Sequence, residues 1–592
     1  MPCLSNGFVP QVKRSTVGQI VRTPTAGLLI LLFSTTHAIS QTPADELIRQ
    51  QERERQLRRQ MEKSPDVRLP AEESKESILV PRNESPCFPI ERIELAGDAV
   101  ERFQWVLPFA DRLENGEPDA ALNTCLGVDG VNLVMRRLQN ALVARGFVTT
   151  RVLAQAQDLT AGVLRLTVIP GRIRDIRFSP DAEGRVSARA TRWNALPASP
   201  GDILNLRDIE QALENFKRIP TVEADIQIAP AEGDGAALGE SDLLIAWKQS
   251  APFRLNLSLD DSGSTTTGRY QGALTLSVDH ALTLNDLFYL SLNQSLLTDS
   301  DEKGTRGHTA HYAIPFGYWL LGMTSSQSTY HQTVAGQNAP VRYRGSSENN
   351  DIKLSRIVYR DARRKIGLFL RGWHRSSNNH IDDEEIVAQR RRMAGWEAGI
   401  NHKEFIGDAT LDSNLNYKRG TGAFNALPAP EELRGGDSTG TARPKILTFD
   451  SQLTLPFQLA GQALRYNGSL RAQWNDTPLI PQDRFSIGGR YTVRGFDGEL
   501  ILSAERGWLI RNDLGWALGN SGHEVYFGID HGEVGGSSAE MLLGKRLSGA
   551  VLGLRGAIKT VSYDLFVGTP LAKPEGFTAP DTVAGFNLSW GI

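Results

Sequence analysis

The chain is 592 residues long, 40% hydrophobic and close to neutral at a net charge of −3, which leaves room for several domains or one very large one. No run of eighteen apolar residues follows the N-terminal stretch, which excludes a membrane-spanning helix. The same composition fits a soluble protein or a transmembrane β-barrel, whose strands turn apolar side chains only towards lipid, and 56 glycines with a polar, turn-rich second half favour β architecture.

Lys13, Arg14 and Arg22 precede an apolar run at 26–33 and the small residues Ala38-Ile39-Ser40. That order describes an export signal over 1–40, cleaved near Gln41; a buried core helix is the alternative. Removal of the signal takes Cys3 with it and leaves Cys87 and Cys125, an even pair able to close one disulfide in an oxidising compartment. Two thiols without a nearby His argue against a metal site.

Residues 41–64 are expected to form a helix, strongest over 45–63, where good helix formers run without Gly or Pro. Charges of both signs surround its axis, so it belongs either free in solvent or in a wet polar cavity. The Pro- and Glu-rich residues 65–86 read as a linker.

From 87 to 170 the expected order is strand, helices, strand, strand. The first strand is placed at 90–95. Asp129 caps a helix with Val131, Val134, Leu138 and Leu142 on one stripe, Gly146 ends it, and strands at 148–152 and 163–169 follow, joined through Gly162. The layout repeats over 171–251, with a strand at 173–178, a helix capped by Asn205 that carries Leu206, Ile209, Leu213 and Phe216, and strands at 222–228 and 243–247. An exposed edge strand in such a unit offers unpaired N–H and C=O groups to an extended client; a rigid spacer is the alternative.

From 252 to 592 the period becomes two. Leu255, Leu257 and Leu259 alternate with Asn256, Ser258 and Asp260, and the rhythm returns at Leu274-Leu276-Val278, at Phe288-Leu290-Leu292 and in several later segments. At roughly 21 residues per strand with its connection, the interval predicts about sixteen spanning strands around an aqueous channel. The polar stretches 346–351, 381–385 and 428–441 are assigned to extracellular loops.

Near the end stands Gly488-Gly489-Arg490-Tyr491-Thr492-Val493-Arg494-Gly495-Phe496-Asp497-Gly498, an Arg held between glycines and aromatics. On the strand Val525-Tyr526-Phe527-Gly528-Ile529-Asp530, Val525, Phe527 and Ile529 share the lipid side, so Tyr526, Gly528 and Asp530 point into the lumen. Asp530 is then a carboxylate available to a loop that folds inward.

The Val-Arg-Gly-Phe core at 493–496 resembles the lumen-inserted sixth loop of the Omp85 superfamily, most closely of the TpsB transporters of two-partner secretion. The wording around Pro86-Cys87-Phe88-Pro89-Ile90, Cys125-Leu126-Gly127, residues 146–152, 169–173 and 205–211 resembles haemolysin-type (ShlB-like) POTRA domains. The resemblance implies a fold of two α+β periplasmic POTRA repeats, 87–170 and 171–251, followed by an all-β transmembrane barrel of about 16 antiparallel strands over 252–592. It further implies a plug role for helix 41–64, a gating loop near 488–498 with Gly489, Tyr491, Val493, Arg494, Gly495 and Phe496, and a wall partner in Gly528-Ile529-Asp530-His531-Gly532, where Asp530 and Gly528 match. The terminal Trp590-Gly591-Ile592 departs from the usual aromatic last residue of such barrels.

The expected function is translocation of a large unfolded exoprotein, TpsA-like in its haemolysin or adhesin class, across the outer membrane, with client activation as an added role. The barrel would sit as a monomer in outer-membrane lipid with its POTRA domains in the periplasm. No nucleotide, nucleic acid, metal, cofactor or catalytic constellation is called for. A barrel-assembly insertase of the same superfamily and a passive porin or receptor are the competing classes.

Overall fold

The computed structural model describes residues 43–592 apart from 63–64, 70–77, 114–115, 185–189, 232–236, 238, 336–338 and 434–438. The export signal over 1–40 and most of the linker's middle lie outside the described residues. The described residues form one compact unit.

Helix α1 (Pro43–Met61) opens the described chain. The first α/β unit has a sheet in which Arg92–Gly97 pairs parallel to Val163–Ile169, which pairs antiparallel to Arg151–Ala154. The strand expected at 90–95 is divided. Phe88–Ile90 leaves the main sheet to pair with Thr124–Leu126, and the chain restarts as Arg92–Gly97. A disulfide joins Cys87, just before this ribbon, to Cys125 within it, with Cα atoms 5.3 Å apart. The strand expected at 148–152 begins only at Arg151, because Phe147 and Thr150 form a turn in which the Thr150 N–H donates to the Phe147 carbonyl.

Helix α2 (Val128–Ala144) buries Val134, Leu138 and Leu142, as its stripe requires, with Val131 packed at the margin. Its cap is not Asp129, which lies inside the first turn. Glu84, from the linker, accepts N–H bonds from Gly127, Asp129 and Gly130 at 2.7–3.0 Å and sets a carboxylate at the positive end of the helix.

The second unit repeats the plan with Arg172–Phe178, Glu240–Gln249 and Val222–Pro230 in one sheet. It adds a short helix, α3 (Ala190–Ala195), before α4 (Leu206–Lys217), where Asn205 Oδ1 accepts from the Arg207 N–H at 2.8 Å. Ile209, Leu213 and Phe216 enter the core beside Trp247, and Leu206 is buried at the start of the helix.

Among the described residues, sixteen long strands, running from Phe253–Asp260 to Val583–Gly591, make a closed antiparallel barrel, with Glu384–Glu385 added as a two-residue ribbon. Closure is made by those first and last strands, paired from Asn256↔Gly591 to Asp260↔Asn587. Residues 346–351 are a correction to the sequence reading. They lie inside the 20-residue strand Val341–Arg360, twice the length of about 9–11 residues that a tilted strand needs to cross the hydrocarbon. Its extracellular half stands above lipid, so both of its faces are polar.

Candidate functional site

The connection between strands Gln462–Asn475 and Arg506–Ala517 starts at the extracellular rim but folds back into the lumen. Phe485–Ile487 pairs with Leu502–Ala504 to make a hairpin, and residues 488–501 form its tip. Alternation in the neighbouring strand Glu524–Gly535 holds as expected: Phe527 and Ile529 are 49% and 44% exposed on the outer face, whereas Tyr526 and Asp530 are 2% and 1% exposed inside.

At the tip Arg494 meets Asp530 in a bidentate grip. Its Nε donates to Oδ2 at 2.7 Å and its Nη2 to Oδ1 at 2.8 Å, while its backbone N–H adds a third bond to Oδ2 at 2.9 Å. Nη2 also donates to Asp513 on the next strand, so one cation holds two lumen carboxylates. Such closeness is permitted by missing side chains. A Cβ at Gly549 would stand 1.8 Å from the Arg494 carbonyl oxygen, and one at Gly528 would stand 2.7 Å from Arg494 Nη2. Gly495, at φ +94, brings its backbone against the wall where a Cβ would come within 2.5 Å of the Thr569 carbonyl oxygen.

The remaining loop residues divide by chemistry. Val493 and Phe496 are buried in an apolar cluster with Ile487, Leu502, Leu509 and Leu547, and Phe496 meets Phe577 edge-on with ring centroids 5.8 Å apart. The Gly489 N–H donates to Thr492 Oγ1 at 2.9 Å and so tightens the turn. Tyr491 is half-buried. Arg490 reaches the seam of the barrel, pairing with Asp261 just beyond the first strand and donating to the Phe586 carbonyl of the last strand at 2.7 Å. Asp261 Oδ1 accepts the Phe586 N–H at 2.9 Å.

Helix α1 lies in the same lumen. Its 19 residues span roughly 28 Å, about the depth of a bilayer core. At the extracellular end Arg49 donates to the Gly498 carbonyl at 2.9 Å, and Glu46 accepts from Thr267 Oγ1 at 2.9 Å. Lower down, Glu52 pairs with Arg471 at 2.9 Å and Arg58 with Asp351 at 2.7 Å; towards the periplasm Glu62 accepts from the Tyr289 hydroxyl at 3.1 Å. Opposite charges around the helix thus find opposite charges around the wall, which resolves the two readings of α1 in favour of the wet cavity.

Below the barrel the chain from α1 is tied to the second α/β unit. Glu214 and Glu210 of α4 accept the Val67 and Leu69 N–H groups, each at 2.9 Å. Arg360, at the end of a barrel strand, pairs with both glutamates at 2.9–3.0 Å and donates to the Val67 carbonyl at 2.7 Å. Asp66 receives Lys365 at 2.6 Å and Lys403 at 2.7 Å. Burial raises the Asp66 carboxyl, but the two ammonium groups outweigh it and hold it below its ordinary value of 3.8.

Sequence reasoning brought Arg494 and Asp530 together and missed much of their surroundings. Asp513 was open to the parity argument that placed Asp530, since Leu514 and Trp516 mark the outer face of its strand. Leu509 and Leu547 face the lumen where a polar residue is expected; the unbroken run Trp508-Leu509-Ile510 was the available signal. Nothing local marks Gly549 as the floor beneath Arg494.

The profile of the family described as "Haemolysin secretion/activation protein ShlB/FhaC/HecB" matches residues 239–556, and two POTRA profiles, one of them ShlB-type, match 172–230 and 88–171. The chain is 35% identical to the outer membrane transporter CdiB-2 of Burkholderia pseudomallei over 91% of its own length and 92% of the relative's. It is 22% identical to the hemolysin transporter protein ShlB of Serratia marcescens, over 66% of this chain and 67% of that one. The solved structure of CdiB from Acinetobacter baumannii superimposes with a TM-score of 0.79 at 29% identity, covering 94% of this chain and all of the other.

Proposed function

This chain belongs to the haemolysin secretion/activation family ShlB/FhaC/HecB, and from that premise we propose that it recognises one large unfolded exoprotein in the periplasm and releases it at the cell surface. It is an outer-membrane transporter of the TpsB type, with a β-barrel in the membrane and its POTRA domains in the periplasm. The client is of the haemolysin or adhesin class; relatives from Proteus mirabilis and Serratia marcescens carry the name hemolysin transporter. It binds as an added strand at the free sheet edges Arg151–Ala154 or Val222–Pro230. The barrel works as a monomer, and activation of the client accompanies its passage.

The observation that carries this reading is how the lumen is filled. Helix α1 is held there by ion pairs and hydrogen bonds to the wall, and such contacts are replaced by water when the helix leaves. The Val493–Phe496 tip is held by a buried cation and an apolar cluster, so it stays as the fixed side of the path. Arg494 and Asp530 are then the pair that sets the open width of the channel, with Gly528 leaving room for the guanidinium.

The test is quantitative mass spectrometry of culture medium and outer membrane from cells with the protein, without it, and with Arg494→Ala. Loss of one very large protein from the medium, with other barrels unchanged, supports dedicated secretion and identifies the client. General depletion of outer-membrane barrels instead assigns an assembly role, and no change in either fraction sinks both.

A further inference from the structure

The outer face of the barrel is apolar along most of its belt, with Leu276, Met323, Ile352 and Leu370 between 42% and 58% exposed. Near the extracellular ends of the early strands this pattern breaks. An open groove of about 680 Å³ is lined by Leu257, Leu274, Leu292 and Leu296 together with Arg306 and His308. It continues into a second hollow of about 680 Å³, reached past Arg306, where Lys303, Arg342, Arg344 and His331 gather.

Register places these side chains on one surface. Leu257, Leu274, Leu292 and His308 follow one another across four adjacent strands, and Gln294, Arg306, Thr329 and Ser346 form the next row outward. Neither part of the groove is lined by an acidic side chain. Carboxylates border it: Asp299, Asp301 and Glu302 stand in the turn between Thr298 and Lys303, and Asp382 accepts the Arg342 N–H at 2.9 Å. Glu348 sits beyond Gln327, and Asp383 pairs with Arg344 at 3.0 Å while itself fully exposed, a weak contact in water.

Cationic groups immediately above an apolar furrow, on the outside of a membrane barrel and at its extracellular edge, match a ligand that is apolar below and anionic above. We propose that this groove binds a phosphate-bearing lipid of the outer leaflet, of the lipid A kind, with an acyl chain along Leu257, Leu274 and Leu292 and a phosphate held by Arg306, Arg342 and Arg344. The guanidinium forks suit phosphate oxygens, which they can grip in bidentate fashion. The proposal rests on the outer-membrane placement of the barrel and not on what it transports.

The experiment uses the full-length protein in mild detergent and native mass spectrometry with three probes: lipid A, its dephosphorylated form, and inorganic phosphate. Lipid A is expected to bind one to one and at least tenfold more tightly than the dephosphorylated lipid. The triple variant Arg306→Ala, Arg342→Ala, Arg344→Ala should lose at least tenfold, whereas the corresponding triple Lys variant retains most of the affinity and controls for folding. Equal binding of the two lipids, retention by the Ala variant, loss in the Lys variant as severe as in the Ala variant, or inorganic phosphate competing as well as lipid A would each overturn the assignment.

Discussion

A guanidinium between Asp530 and Asp513 neutralises two carboxylates that the wall has already buried, so its removal strands both. Arg494→Ala is expected to cost about 3–5 kcal/mol of loop docking. The charge argument separates from the steric one at Gly549: Gly549→Ala keeps every charge but forces a Cβ into the Arg494 carbonyl. Both variants should expose residues 488–501 to limited proteolysis in a barrel that still runs as folded, and a protected tip in Gly549→Ala would show that the wall yields. Asp66 carries a pH dependence of definite sign. Its carboxyl is held below the ordinary value, so its contribution to linker docking is present above the unfolded carboxylate pKa and lost as pH falls through the folded one. Hydrogen exchange at Val67 and Leu69 should therefore accelerate on acidification below about pH 4, and Asp66→Asn should remove the dependence. Arg494 and Asp530 were readable from sequence because one stands in a distinctive turn and the other's direction follows from strand parity. Asp513 and Gly549 touch them only through pairing between strands.

Helix α4 shows where reading by elements stops. Its apolar stripe was plain, and its other face, with Glu210, Gln211, Glu214 and Asn215, reads as solvated. All four are buried, because that face docks on the barrel's periplasmic turns. Asn215 Nδ2 donates to the Gly317 carbonyl at 2.8 Å, the Tyr318 hydroxyl donates to Asp208 at 2.6 Å, and Arg360 covers the two glutamates. Arg360→Ala leaves Glu210 and Glu214 buried without that partner, a loss of about 3–5 kcal/mol. It should appear as faster hydrogen exchange along Leu206–Lys217 with the barrel strands unaffected; unchanged exchange would mean that the turn contacts suffice. The same limit explains the first α/β unit, where the division of the opening strand at Glu91 and the capping of α2 by Glu84 both depend on partners some 35 to 75 residues distant.

For the molecule as a whole, two repeats and about sixteen strands were legible because periodicity and length carry them, while the manner in which the parts meet was not. Helix α1 is the clearest case: its charge pattern announced a polar setting, but Glu52, Arg58 and Glu62 acquire partners only once strands hundreds of residues apart have closed into a wall. Deletion of 43–61 should leave that wall intact, since its ladder is complete without the helix, and should raise single-channel conductance in planar bilayers; unchanged conductance would mean that the sixth loop alone closes the channel. The bridge made by Arg490 also has a bearing on how the protein comes into being. Asp261 and Phe586 lie 325 positions apart and become neighbours only when the first and last strands pair. Arg490 cannot complete its two contacts until that seam has closed, which makes the finished barrel chemically distinct from an open sheet.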